Sequence, residues 1–316
     1  MSFTKKVKNE LARVYDTMEC CQLAELVSLV KVAGNVYVGT DYHLSLALET
    51  ENPAIARKVY KLTKSLFDIK KEVSVRRRLR LKQSIVYTVR MIPQKEAKGV
   101  LKTLGVVFTP DGFHVQSQSD CLRKKCCQRA YLRGAFLGCG TLADPERKTY
   151  HLEMIVKDDE NHKIICELMI NFGLKPKTLI KREKNIIYLK ESEQIVDFLN
   201  IIGAHSSLLL FEGVRVQKHV RNRINRLVNC ETANLSKTVD ASMKQLEVIA
   251  FIDRNIGLEN LSGSLSEIAR LRMDNPDLSL KELGEGMSPA VSKSGVNHRM
   301  RRLQKIAERL EKTRKK

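Results

Sequence analysis

Near the C-terminus, Ser292, Lys293, Ser294, Asn297, His298, Arg301 and Arg302 share a segment in which Val296, Met300 and Leu303 recur at helical spacing. At about 100° per residue, a helix burying that apolar stripe turns Ser294, His298 and Arg301 to its opposite side. Lys293 and Asn297 then lie on the shoulders. Such side chains read base edges: arginine pairs bidentately with guanine, asparagine with adenine. Ser292 and Ser294 at the helix start suit a phosphate oxygen beside free backbone amides, and Ser288 just upstream is a further phosphate candidate. Arg302, Lys305, Arg309 and the terminal Arg314, Lys315 and Lys316 attract phosphate without sequence preference. The competing role for this helix is docking on another protein.

The elements before it fit that task. Leu280, Leu283 and Met287 predict a short helix, and Gly286 is expected to turn the chain sharply into the next, so the pair reads as a helix-turn-helix. Ser264 with Glu267 and Ser279 with Glu282 both fit the capping box, and Asn275-Pro276-Asp277 breaks the chain between them. Leu246, Ile249 and Ala250 predict a helix over 238–252. Before that, Arg215, Lys218, Arg221, Arg223 and Arg226 read as a basic linking segment.

A second basic group is Arg76, Arg78, Arg80 and Lys82, which share one face of a predicted strand while Val73, Val75, Leu79 and Leu81 share the other; Arg77 falls on the apolar side. These four are candidate phosphate contacts, against the alternative of a solvated outer face. Around them the pattern is regular. A helix through Leu23, Leu26, Val27 and Val30 is expected to close on Gly34 as a left-handed cap. Strands follow at 36–38 and 42–48, the latter placing Tyr42, Leu44, Leu46 and Leu48 on one face. Asn52 caps a helix beginning at Pro53, with Ile55, Val59, Leu62 and Leu66 as its stripe; strands at 72–81 and 84–91 and a basic helix from about Gln94 complete the series. Much the same order returns from Lys124: a helix to Gly138, a strand at 150–156, a helix through Ile164, Leu168 and Phe172, strands at 177–182 and 186–190, and a helix through Ile195, Leu199 and Ile202. Gly34 and Gly140 end equivalent helices 106 residues apart, the mark of an internal duplication. Gly134 and Gly138 suit the close crossing of two such helices at a pseudo-two-fold axis.

With 316 residues and 43% hydrophobic content the chain can bury two or three cores. Its 56 Lys and Arg against 36 acids, a formal +20, attract a polyanion. Nucleic acid is favoured over a membrane, because no apolar run approaches the ~18 residues a span requires. The N-terminus lacks the apolar stretch of a secretory signal, so a cytoplasmic location with reduced thiols is expected. The eight cysteines include the neighbours Cys20-Cys21 and Cys126-Cys127 but no C-x2-C pair; Cys121, Cys126 and Cys127 near His114 come nearest to a ligand cluster, and buried reduced thiols are the expectation. No Ser-His-Asp set, nucleotide loop or metal-spaced histidine pair is evident, so no catalytic residue, metal or cofactor is assigned.

Three stretches carry a resemblance: Tyr131 to Leu137 (YLRGAFL), Asn225 to Asn234 (NRLVNCETAN) and Ser292 to Arg299 (SKSGVNHR). Through them the chain is similar to the WhiA family of bacterial DNA-binding regulators, nearly end to end. The resemblance implies an α+β fold: a duplicated LAGLIDADG-like αββαββα body with pseudo-two-fold symmetry, then an all-α helix-turn-helix domain similar to region 4 of sigma factors. The expected layout is a first half at 1–110, a second at 111–212, a basic link at 213–235 and the helix-turn-helix domain at 236–316. It further implies sequence-specific transcription regulation in cell division, chromosome segregation and, in sporulating bacteria, sporulation. Double-stranded DNA is the implied partner, with other regulators or RNA polymerase as further candidates and nucleoid association as the implied location. LAGLIDADG nucleases hold divalent metal on an acid before the last glycine of each opening helix; here the matching residues are Ala33 and Cys139, neither a hard oxygen ligand. Cleavage is therefore expected to be absent. The rivals are an endonuclease with relocated acids (Asp41, Asp144, Glu146) and a non-specific chromosome-architectural protein.

Overall fold

Ser2 accepts the Lys5 amide at 3.3 Å and starts α1 (Phe3–Leu11), a helix not foreseen above although its apolar residues sit at i, i+4 and i+8. The computed structural model describes residues 1–38, 44–78, 84–92, 97–109, 112–115 and 122–314, with the side chains of all these except Val38, Leu44, Arg78, Ala97, Lys98, 107–109 and 112–115. Asp41, Tyr42, Leu79, Arg80, Leu81, Lys82, Gln94, Cys121, Lys315 and Lys316, and the side chains of Arg78 and His114, lie outside that description.

The chain divides into two units, 1–218 and 219–316. In the first, α2 (Glu19–Ala33) leads into β1 (Gly34–Val38) and β2 (Leu44–Thr50), then α3 (Pro53–Leu66), β3 (Lys71–Arg78), β4 (Ser84–Met91) and α4 (Ala97–Thr103). The hairpin β5 (Val106–Thr109) and β6 (Gly112–Val115) precedes the second series: α5 (Lys125–Cys139), β7 (Gly140–Leu142), β8 (Leu152–Val156), α6 (Asp159–Asn171), β9 (Lys177–Lys181), β10 (Lys184–Leu189) and α7 (Ser192–Ile202). The two four-stranded antiparallel sheets have the same strand order, β1-β2-β4-β3 and β7-β8-β10-β9. Equivalent bonds confirm the duplication: Gln22 Nε2 donates to the Asp16 carbonyl at 2.8 Å and Gln128 Nε2 to that of Leu122 at 2.9 Å. The Asn52 cap forms as expected, accepting the Ala54 amide at 2.9 Å.

Both sheets cover one core at the α2/α5 pair, from Leu26, Leu29 and Val30 to Leu132, Phe136, Met154, Ile187 and Phe198. Contact between the helices is close enough that a Cβ on Gly134 would lie 2.4 Å from the Glu25 carbonyl oxygen, and one on Gly138 2.1 Å from a Val32 methyl. Gly34 is not the left-handed cap expected of it. Its φ is −80° and that of Gly140 −77°, both extended, because each helix passes directly into a strand. What excludes a side chain there is space: a Cβ would meet the Val30 carbonyl oxygen at 2.5 Å or the Phe136 ring at 2.2 Å.

Buried charge joins the pieces. Glu25, 1% exposed, lies 2.5 Å from Lys58 Nζ and 3.1 Å from Arg133 Nη2. Arg133 also pairs with Asp16, and Lys58 donates to the Leu11 and Val14 carbonyls at 2.9 and 2.6 Å. The network therefore links the chain after α1 with α2, α3 and α5. At the position equivalent to Glu25, the second half uses a neutral bond, Tyr131 Oη to Asn161 Oδ1 at 2.7 Å.

The expected basic link and the helix expected at 238–252 are parts of one helix, α8 (His205–Ile256, 52 residues). Its first turn is capped by Glu10, whose carboxylate accepts the Ser206 and Ser207 amides at 2.7 and 2.8 Å. In the second unit, α8 is followed by a single 3-10 turn and then α9 (Gly263–Asp274), α10 (Leu280–Glu285) and α11 (Lys293–Arg314) around Ile249, Ile252, Leu265, Ile268, Leu283, Val296, Met300 and Leu303. Among the described residues, no helix is long and apolar enough to cross a membrane.

Candidate nucleic-acid interface

Helix α10 starts on a complete capping box: Ser279 Oγ accepts the Glu282 amide at 3.3 Å and Glu282 accepts that of Ser279 at 2.7 Å. The second expected box does not form. The N-cap position of α9 is Ser262, two residues before Ser264 and without a side-chain capping bond, and Glu267 instead accepts the Ser288 amide at 2.9 Å. That bond fixes the turn between α10 and α11. Arg272, 2% exposed, fixes the entry to α10 by donating to the Pro276 and Leu278 carbonyls at 3.3 and 2.6 Å.

The turn glycine is also reassigned. Gly286 has φ −80° and ψ −3°, open to any residue. Gly284 is where the two helices touch: a Cβ there would lie 2.0 Å from the Val291 carbonyl oxygen and 3.1 Å from a Val296 methyl.

On α11 the apolar stripe is buried as expected, with Val296 at 0%, Met300 at 6% and Leu303 at 1% exposure. Ser292, Lys293, Ser294, His298, Arg301, Arg302 and Lys305 are all exposed, as is Ser288. Within this set the roles differ. Ser292 accepts the Gly295 amide at 3.3 Å and so caps the helix, while its hydroxyl meets that of Ser294 at 2.9 Å. Asn297 is half-buried and lines a cleft of about 410 Å³ with Lys244, Gln245 and Arg301, where α8 and α11 lie side by side. The open face is thus Ser294, His298 and Arg301, continued by Lys305 and flanked by Arg302.

The sheets of the first unit present a second basic surface. Register places Arg76 opposite Val86, and Glu72 and Ala47 opposite Arg90, on the side away from the core-facing Leu48 and Val89. Arg90 stacks on Tyr37 at 5.2 Å, and Arg76 is exposed. The corresponding face of the second sheet carries Lys177, Lys181, Lys184 and Tyr188, a basic group not among the sequence candidates. The other side of β3 departs from expectation: Val73 and Val75 point with Val89 and Tyr87 but remain 47% and 61% exposed, because β3 is an edge strand that α3 only partly covers. They line a cleft of about 510 Å³ with Tyr60 and Tyr87.

At the C-terminal ends of α2 and α5, Ala33 and Cys139 flank the helix crossing, and a Cβ on Gly138 would stand 3.8 Å from the Ala33 methyl. The Cys139 thiol donates to the Ala135 carbonyl at 3.2 Å, and burial pushes its pKa up to about 12, so it is protonated at neutral pH. Lys8 of α1 approaches it; burial lowers the Lys8 pKa to about 8, against the opposing pull of Cys139. Asp144 and Glu146 are exposed loop acids, Asp144 accepting the Glu146 amide at 3.1 Å.

Three family descriptions match in order: the WhiA N-terminal LAGLIDADG-like domain over 19–107, the WhiA LAGLIDADG-like domain over 128–221 and the WhiA C-terminal HTH domain over 224–307. A protein of Heliobacterium modesticaldum called "Probable cell division protein WhiA" is 49% identical over 308 residues, spanning 98% of this chain and 96% of its own length. A Bacillus cereus protein of the same name is 46% identical over 311 residues, covering 98% and 97%. Among solved structures, full-length WhiA from Thermatoga maritima aligns over 98% of this chain and 99% of its own at 25% identity, with a TM-score of 0.59. On the agreement of all three domains in order and of relatives near half identity from end to end, the chain belongs to the WhiA family.

Proposed function

We propose that this protein is a sequence-specific DNA-binding transcriptional regulator that holds DNA without cutting it, and that it serves cell division, chromosome segregation and, where the organism sporulates, sporulation. The observation that carries the reading is the α11 face: Ser294, His298 and Arg301 stand exposed on a helix whose other side is sealed by Val296, Met300 and Leu303. Arg301 is assigned to guanine, and Ser294 and His298 to adjacent base edges or phosphate. Ser288, Lys293, Arg302 and Lys305 supply phosphate contacts, with Asn297 reaching adenine from the shoulder. The sheet faces add charge through Arg76 and Arg90 on one half and Lys177, Lys181 and Lys184 on the other. The relatives' shared name supports the link to cell division. The formal +20 charge supports a cytoplasmic, nucleoid-associated location, with other regulators or RNA polymerase as further partners.

Absence of cleavage follows from the chemistry at the helix crossing. A methyl, a protonated thiol and a lysine ammonium offer Mg²⁺ no hard anionic oxygen, and the ammonium repels it. Nicking of supercoiled plasmid that needs Mg²⁺ and stops with EDTA would overturn this part. For recognition, binding is compared on operator fragments recovered from cells and on scrambled duplexes across a salt series. The expected result is tighter operator binding, with Arg301→Ala losing ~1–3 kcal/mol on operator and little on scrambled DNA. Equal affinity for both duplexes at every salt concentration would leave a purely phosphate-driven architectural protein instead.

A further inference from the structure

The duplication brings two cysteine pairs together. At the N-terminal ends of α2 and α5, Cys20, Cys21 and Cys127 hold their sulfurs within 4.8 Å of one another. Cys21 and Cys127, 106 residues apart, are 4.0 Å apart in space, and Cys126 lies 4.0 Å from Cys127. Cys126 stands outside that group of three and reaches it through Cys127, so one adjacent pair from each half meets there. Small Ala24 and Ala130 floor the cluster, and exposed Cys126 and half-buried Cys20 leave it open on one side.

These spacings identify the ligand class. Four thiolates about a tetrahedral ion at ~2.3 Å stand ~3.8 Å apart along each edge. The two sulfur separations of 4.0 Å are close to that edge with no ion present. A disulfide would use two of the four sulfurs and require one pair to close to ~2.05 Å, leaving the convergence of the others without a role. We propose that Cys20, Cys21, Cys126 and Cys127 form a tetrahedral tetrathiolate site for a thiophilic divalent cation, zinc foremost, that ties the N-terminal ends of the two central helices together. Binding releases the four thiol protons and leaves a net charge of −2 on the complex. The positive ends of both helix dipoles face that charge, and exposed Arg123, Lys124 and Lys125 stand beside it. Because each thiol gives up its proton on binding, affinity rises with pH. The absence of C-x2-C spacing, which argued against metal in the sequence, is replaced by symmetry: each half contributes one adjacent pair.

The test uses the full-length chain, reduced and oxygen-free, with Co²⁺ and then Zn²⁺ as the only additions. One Co²⁺ per chain is expected, with the charge-transfer and ligand-field absorption of tetrahedral cobalt thiolate, lost on adding one equivalent of Zn²⁺. Four of the eight cysteines should then resist a thiol reagent. Cys126→Ser, at an exposed position, keeps the fold by circular dichroism. It should weaken binding by more than about 100-fold, beyond the ~10–100-fold that follows loss of an outer-shell partner. Cys166→Ser and Cys230→Ser should leave binding unchanged. Cobalt bound without thiolate absorption, all cysteines reacting alike, or unchanged affinity in the folded Cys126→Ser protein would each overturn the assignment. None of these outcomes depends on whether the protein reads DNA.

Discussion

Glu25→Gln isolates the energetic role of the buried charge network at nearly constant volume. In the native protein two cations, Lys58 and Arg133, face two anions, Glu25 and Asp16; only Asp16 has appreciable solvent, with its side chain 34% exposed. The substitution leaves both cations against Asp16 alone. Carbonyls of Leu11 and Val14 still accept from Lys58 but carry no neutralising charge. Breaking one partner of such a buried pair costs ~3–5 kcal/mol. For a domain the size of the first unit this corresponds to a fall in Tm of roughly 6–20 °C. Calorimetry of the full chain should place the loss in one transition, and hydrogen exchange in peptides from α2 and α5 should accelerate with it.

The same network sets the pH response. Burial lowers the Lys58 pKa from 10.5, and Glu25 is the main influence opposing that fall. Without Glu25 the folded pKa drops further, so the unfolded chain binds more protons over a window extending downward from 10.5, and stability rises with pH across it. The deficit of Glu25→Gln should therefore be largest near neutral pH and shrink toward pH 10.5. A loss under about 1 kcal/mol, below the cost of breaking any buried pair, would refute the reasoning. So would a deficit that stays constant over that range.

Gly284→Ala drives a Cβ onto the Val291 backbone and should cost the second unit ~1–3 kcal/mol or more with loss of DNA binding, whereas Gly286→Ala, with only a Leu271 methyl at 3.3 Å, should stay within about 1 kcal/mol of native in the same melt. Lys8→Met removes an ammonium whose folded pKa of about 8 lies below its usual 10.5. The native protein should gain stability between those two pH values, and the variant should begin higher at neutral pH and lack that gain in a Tm-against-pH series.

Element order was legible because each strand and helix carries its own period, and the return of that order after Lys124 is a property of the sequence. What escaped was tertiary. Val73 and Val75 alternate like core residues, yet their exposure follows from β3 lying at a sheet edge, which local pattern does not encode. The arginines from 215 to 226 resemble a linker because charge density masks a helix that continues through them. Gly286 was given the role of Gly284 because close approach depends on what lies across the turn. At the recognition helix the exposed face followed from the Val296 stripe, but the partial burial of Asn297 depends on α8 lying alongside. Two signals were present and unused: Glu25 interrupts an otherwise apolar run in α2, and the cysteine pairs share the 106-residue offset that relates Gly34 to Gly140.

That offset also separates what packing fixes from what chemistry can change. At the α2/α5 crossing the close approach is relieved from one side: Gly134 and Gly138 lie against the Glu25 carbonyl and a Val32 methyl, while their equivalents in the first half are Ser28 and Val32. Positions one step away are freer: Glu25 joins an ionic network while its equivalent Tyr131 makes a neutral bond, and both bury their polar atoms with a partner. The two ends of the helix pair lie roughly 20 Å apart at 1.5 Å per residue, so their chemistry is decoupled. At one end Ala33 and Cys139 differ from each other, and Lys8 approaches Cys139, an arrangement with no symmetric ligand set to offer an ion. At the other, each half supplies the same two thiols. An ion on a pseudo-two-fold axis is best served by equal donors from both sides, which makes the cysteine end, and not the Ala33 and Cys139 end, the place where this scaffold meets that condition.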